Sequence, residues 1–143
     1  MRIRYFEQIV RELVGAPGIF EGLGLAAVQL LVVATDGTFE GVDTLKSCGD
    51  GQQELGLSVV DAPISEVLSK KNYAIRQAGA GQLCEQCLAC PHRVVCGGGY
   101  FPHRYRGGGD FLAPSVFCAD ILYLIERISG DILARSRTVE QEG

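Results

Sequence analysis

The sequence predicts one small α+β domain: a small antiparallel hairpin or sheet flanked by helices, with a cysteine-rich loop wrapped around a metal centre. Three observations carry this. A helical apolar repeat opens the chain, a β-branched run leads into Asp36-Gly37, and a segment dense in cysteine and glycine is followed by a second helical repeat. With 143 residues, 47% apolar and 21% charged, the chain can bury a core and is not compositionally disordered. It is too short for a catalytic barrel with an added module.

From the N-terminus, Ile3, Phe6, Ile9, Val10, Leu13 and Val14 recur at helical spacing until Gly15-Ala-Pro-Gly ends the pattern. A helix that starts almost at Met1 without a cap reads as a sign that something lay upstream. Residues 1–26 are this helix and a linker, and residues 27–81 a hairpin and a helix. Val28 to Thr35 reads as a buried strand, and Asp36-Gly37 before Thr38-Phe-Glu-Gly-Val as a hairpin turn. Gly49 to Gly56 reads as a loop and Leu57-Ser-Val-Val as a third strand. Asp61, as cap, and Pro63 then open a helix expected to run to about Ala78, where Gly79-Ala-Gly81 stops it.

Residues 82–118, the cysteine-rich loop, lack the periodicity and apolar content to form a core unaided. After Pro114-Ser115, the positions Phe117, Ile121, Leu122, Leu124, Ile125 and Ile128 predict a closing helix over 114–134, with Cys118 on the side shared with Ile121, Leu122 and Ile125. The domain thus spans 1–134, and the charged stretch 135–143 is expected to be a flexible tail.

A net charge of −4 and a pI near 5.1 argue against nucleic acid or an anionic membrane as the main partner, since either needs a basic field. Glu7 and Glu12 interrupt any signal-peptide pattern, and no run approaches the roughly 20 apolar residues that a bilayer requires. The expected location is the cytoplasm. Six cysteines in such a reducing compartment point to metal binding rather than a disulfide framework.

Those cysteines carry the strongest chemical signal: Cys84-x2-Cys87-x2-Cys90-x5-Cys96, closed by the distant Cys118. A CxxC pair lets two thiolates of one turn reach the same centre, while a later and a remote cysteine complete four-fold ligation. A metal also offsets the repulsion between neighbouring thiolates, so its binding contributes folding energy. On spacing alone, an iron–sulfur cluster and a structural zinc both remain open. The bacterial ferredoxin pattern fails, because its fourth cysteine follows after three residues and Cys96 follows after five.

The stretch from Cys87-Leu-Ala-Cys-Pro-His-Arg-Val-Val-Cys-Gly-Gly-Gly-Tyr-Phe-Pro-His-Arg-Tyr to Pro114-Ser-Val-Phe-Cys-Ala-Asp resembles the SPASM region of radical S-adenosylmethionine maturases of ribosomal peptides, most closely the FxsB type. Ile3-Arg-Tyr-Phe, Thr35-Asp-Gly and Val42-Asp-Thr-Leu-Lys resemble the segment that follows the barrel in those proteins. The resemblance implies an auxiliary [4Fe–4S] cluster held by Cys87, Cys90, Cys96 and Cys118. It places Tyr100 where the general pattern has a cysteine of another auxiliary cluster, and leaves Cys48 and Cys84 without firm matches, Cys84 being a further possible ligand. The core motif CxxxCxxC occurs nowhere in the sequence. The resemblance therefore implies a domain that does not bind S-adenosylmethionine alone and is not catalytic alone. It would relay electrons or position a precursor peptide, either as a split subunit working with a radical SAM barrel in trans or as a truncated piece. A zinc-stabilised interaction module without redox activity is the rival.

Among the other residues, the glycine triplets at 97 and 107 do not follow the strand-to-helix arrangement of phosphate loops. Glycine beside a cluster instead lets backbone N–H groups approach sulfur. His92 and His103 read as surface or packing residues, and Arg93, Arg104 and Arg106 either as positive charge beside the cluster, stabilising its reduced state or receiving an acidic peptide segment, or as a solvated basic loop. Tyr100, Phe101, Tyr105 and Phe111 read as shielding for the cluster. Asp43, Glu54 and Asp61 show no paired catalytic spacing.

Overall fold

The structure is a computed structural model that describes residues 2–28, 30–108 and 111–141, with side chains over the same span apart from 72 and 138–141. Gln29 of the expected first strand, Gly109 of the second glycine triplet and the last two residues of the expected tail lie outside the described residues. The domain is α+β, as its patterning predicts, with a three-stranded antiparallel sheet and flanking helices.

Helix α1, Arg4–Leu13, buries Gln8 and Ile9 and leaves Phe6 and Val10 exposed, so its apolar positions split between two faces. It ends where Gly15 takes φ +69°, a left-handed conformation that favours glycine. The sheet consists of β1, Val32–Val33, β2, Thr38–Glu40, and β3, Glu54–Ser58, in the order β1-β2-β3. Val33 pairs with Phe39 across the hairpin. Asp36 fixes the turn by accepting the Thr38 N–H at 3.0 Å and the Thr38 hydroxyl at 2.7 Å, while Gly37 adopts φ +86°.

Three expectations change here. The buried strand expected from Val28 to Thr35 forms only at Val32–Val33, as a sheet edge with Leu30 and Val33 exposed. The third strand starts at Glu54, inside the expected loop, rather than at Leu57. This brings Leu55 against Phe39 in the core, and Gly56 at φ +67° lies beside a register shift between Thr38 and Glu40. The single helix expected from Pro63 to Ala78 is broken into α2, Ile64–Ser69, and α3, Lys71–Ala74, with Lys70 extended between them and 3-10 turns after. Val67 and Tyr73 both pack on Phe39 and Leu55. On one continuous helix, residues six apart point about 120° away from each other, and the break at Lys70 turns both toward the sheet. Asp61 does not cap α2; its carboxylate accepts the Ser58 hydroxyl at 2.5 Å.

The cysteine-rich segment folds into two single-turn helices, α4 (Glu85–Leu88) and α5 (Arg93–Cys96), and a 3-10 turn at Phe101–Arg104. The closing helix α6 starts at Cys118, later than 114, after a turn in which Ser115 Oγ accepts the Phe117 N–H at 3.1 Å and the Ser115 carbonyl accepts the Cys118 N–H at 3.0 Å. It continues to Gln141, past the tail expected from 135, since the sequence there holds no proline or glycine before Gly143. Ile9, Leu23, Cys96, Ile121 and Ile125 form a core that joins α1, α5 and α6. A separate cluster of Val42, Leu45, Phe101 and Phe111 lies under the 3-10 turns. No helix among the described residues is long and apolar enough to cross a membrane.

Candidate metal centre

Each cysteine of the candidate set is placed by a short local structure. Cys84 caps α4 and Cys87 lies within it; Pro91 follows Cys90 and stops the helix, after which α5 presents Cys96 at its end. Cys118 opens α6. Cys96 is the anchor: it is buried in the core with Ile9 and Ile121, and the Gly97, Gly98 and Gly99 that follow it take φ of +59°, +80° and +72°. A Cβ on Gly97 would fall 1.7 Å from the Gly24 carbonyl oxygen, so only glycine fits between α5 and the 18–28 segment.

Cys87, Cys90, Cys96 and Cys118 line one small cavity of about 60 Å³, together with Gln86, Arg93, Gly98 and Leu122. No disulfide joins them. Burial pushes the Cys87 thiol up to about 12, with the adjacent Cys84 thiol and the charges of Cys96 and Cys118 acting in the same direction. Burial also raises Cys96, against the lowering effect of the nearby Gly98 and Gly99 N–H groups, the latter bonded to the Cys96 carbonyl at 2.9 Å. Several thiols that oppose one another's ionisation, with N–H donors near one of them, form a donor set that fits a thiolate-bound cationic centre. Among the described residues, no three of His, Cys, Asp and Glu are grouped closely enough to hold a metal ion.

No protein-family model matches the chain, nor does any curated protein. Solved structures do. Native anSMEcpe with bound AdoMet superposes with a TM-score of 0.67 at 17% identity, over 95% of this chain and 36% of that one. Native anSMEcpe with bound AdoMet and Kp18Cys peptide gives 0.66 at 18%, with the same coverage. The anSMEcpe protein is a radical SAM/SPASM anaerobic sulfatase maturase. This chain shares its fold. The match spans about a third of the anSMEcpe length.

The remaining candidates separate from the cavity. Cys84 adjoins Cys87 without lining it. Cys48 lies against the Phe101 cluster, where its thiol donates to the Pro102 carbonyl at 3.4 Å. The Tyr100 hydroxyl bonds the Thr44 hydroxyl, so this position serves packing between two 3-10 segments. His92 faces Glu126 of α6 at 3.3 Å, and His103 lies edge-on to Tyr100 and Phe117. Phe101 stacks on Phe111 with centroids 4.4 Å apart; this pair builds a core and does not line the cavity.

One cavity residue was missed at the sequence level, and one of the two readings of Arg104 fails. Gln86 lines the cavity simply because it falls between Cys84 and Cys87, and no pattern marks it. Arg104 is not a solvated loop residue: it is 4% exposed, behind the glycine triplet. The aromatic residues around it, Phe101 and Tyr105, were the available hint that its neighbourhood is a core.

Proposed function

We propose that this chain is an auxiliary iron–sulfur domain of a radical SAM/SPASM peptide-modifying system, holding one [4Fe–4S] cluster on Cys87, Cys90, Cys96 and Cys118. The observation that carries the reading is the convergence of these four cysteines, from α4, its exit, α5 and α6, on a single cavity. The fold likeness to anSMEcpe over 95% of the chain supports the radical SAM/SPASM reading and not the FxsB-type refinement. A single zinc would draw all four sulfurs to about 2.3 Å from one point, whereas each thiolate of a cluster binds its own iron.

When bound, the cluster supplies one-electron transfer. The protein's share is to hold the thiolates, to direct the Gly98 and Gly99 N–H groups at Cys96 and to close the site with Leu122. With no CxxxCxxC motif in the sequence, cleavage of S-adenosylmethionine falls to a radical SAM barrel. The exposed side of α1, where Phe6, Val10 and Ile19 line an open groove of about 580 Å³, offers that barrel an apolar face. The Kp18Cys peptide bound to anSMEcpe supports a peptide as the substrate to be positioned, and the reducing cytoplasm suits free thiols.

Anaerobic reconstitution with iron and sulfide, followed by metal and sulfide analysis and a visible spectrum, tests the reading. Four irons and four sulfides per chain with broad visible absorption, lost in Cys118→Ala, are expected. One tightly held zinc and no colour would replace the cluster with a structural zinc.

A further inference from the structure

Arg104 is a buried cation without a carboxylate. Its Nη2 donates to the Gly97 carbonyl at 2.7 Å and the Gly99 carbonyl at 3.1 Å, and its Nη1 faces Gln82 Oε1 at 3.3 Å. Its Nε has no partner, and its guanidinium lies 5.4 Å from the centre of the Phe101 ring. None of the ion pairs among the described residues includes it. The other buried guanidinium on that ring, Arg76, already pairs with Glu21 and opposes Arg104. A buried charge held only by carbonyls is costly unless an anion lies close. Burial lowers the Arg104 guanidinium from its ordinary value, and negative charge on Cys87, Cys96 and Cys84 would act against that.

The geometry of one peptide unit links this arginine to the cavity. The Gly97 carbonyl and the Gly98 N–H belong to the same planar trans peptide and point in opposite directions. Holding the carbonyl on Arg104 therefore aims the N–H the other way, and Gly98 lines the cavity together with Cys96, whose thiol its backbone N–H acts to lower. A guanidinium fork can hold two carbonyls and Gln82 together, while an ammonium offers one compact charge. A Cβ on Gly98 would come 3.0 Å from Arg104 Cζ, so the loop and the arginine fit closely.

We infer that Arg104 is the positioning residue and buried counter-charge of the cluster site, setting the Gly97–Gly99 loop from behind and favouring the reduced, more negative centre. This rests on the cluster reading proposed above. Charge and geometry are separable: Arg104→Met removes both, and Arg104→Lys keeps the charge without the fork.

The test measures, for wild type and both variants, iron and sulfide content, the midpoint potential of the reconstituted cluster, the rate of iron loss to a chelator, and Gly98 amide exchange in the metal-free chain. The expected result is a lower midpoint in Arg104→Met and a midpoint close to wild type in Arg104→Lys. Iron loss and Gly98 exchange should be several-fold faster in both. Unchanged potential, iron loss and amide exchange in both variants would overturn the inference; should Arg104→Met fail to fold, Arg104→Lys decides it by iron loss and amide exchange. Failure of wild type to take up iron and sulfide sinks the cluster reading instead and removes the counter-charge role. In that case, slow wild-type and fast variant exchange at Gly98 still sustains the positioning role, and equal exchange ends it.

Discussion

Gln8 of α1 accepts the backbone N–H of Ile19 through its side-chain oxygen at 2.6 Å. The same amide donates to Glu12 at 2.7 Å and faces the Leu23 carbonyl at 3.4 Å. Gln8 is fully buried, so the irregular segment after α1 is tied to the helix by one side chain that satisfies backbone groups at both ends. Removing it strands the Ile19 N–H. Gln8→Leu is expected to destabilise the chain by about 1–3 kcal/mol, read as a lower urea midpoint. A midpoint within error of wild type would mean that the 18–28 segment holds its place by packing alone.

Gly97 and Gly107 make a paired test of where glycine is required. At Gly97, a left-handed φ of +59° coincides with a Cβ position 1.7 Å from the backbone of Gly24, and two backbones cannot relax as a flexible side chain would. At Gly107 nothing lies within 4 Å of the added Cβ. Gly97→Ala should cost about 3 kcal/mol or more and loosen α5 from the 18–28 segment. Gly107→Ala should stay within about 0.5 kcal/mol of wild type. Thermal melts of the two variants check this, and equal melting temperatures would refute it.

What could be read from the sequence follows from which forces are local. The Ile9–Leu13 and Ile121–Ile125–Ile128 spacings are helical repeats whose buried faces meet each other, so α1 and α6 were legible. The spacing of Cys87, Cys90, Cys96 and Cys118 was legible as a candidate grouping for the same reason: each thiol is placed by its own short turn, and the four line one cavity. The break at Lys70 was not, because every residue from Ser65 to Ile75 tolerates a helix. Only the shared demand of Val67 and Tyr73 for the Phe39 side of the sheet forces it. The charge of Arg104 beside the cysteines was one of two readings its position offered, but its burial was illegible, because it depends on Gly97, Gly99 and Gln82 closing around it, a tertiary event with no periodic trace.

Glu12 gives stability a pH dependence with a definite sign. Partial burial raises its carboxyl above the ordinary 4.5, against the hydrogen bond from Gln8 that lowers it. The folded chain therefore binds the proton more tightly than the unfolded one. The associated stability is fully present below the unfolded pKa and is lost as pH rises through the folded value. Glu12→Gln stays neutral and removes this dependence. Urea midpoints at about pH 4 and about pH 7 should show wild type losing more stability across that interval than Glu12→Gln; parallel changes in the two proteins would assign the dependence to other groups.

Cys48 and Cys84 distinguish ligands from bystanders. Cys48 is turned toward Pro102 in the Phe101 cluster, and Cys84 lies outside the lining of the cavity that Cys87, Cys90, Cys96 and Cys118 share. Cys48→Ala and Cys84→Ala should therefore take up the same iron and sulfide as wild type on anaerobic reconstitution, while alanine at any of the four lining cysteines should reduce uptake strongly. Loading should also raise the thermal midpoint of wild type, because a ligand that binds only the folded state stabilises it, and a chelator should return the midpoint to the metal-free value. Loss of iron in Cys84→Ala with retention in one of the four would reassign that ligand. The Cys84 thiol lies next to Cys87, one helical turn before it, and is the residue placed to take over.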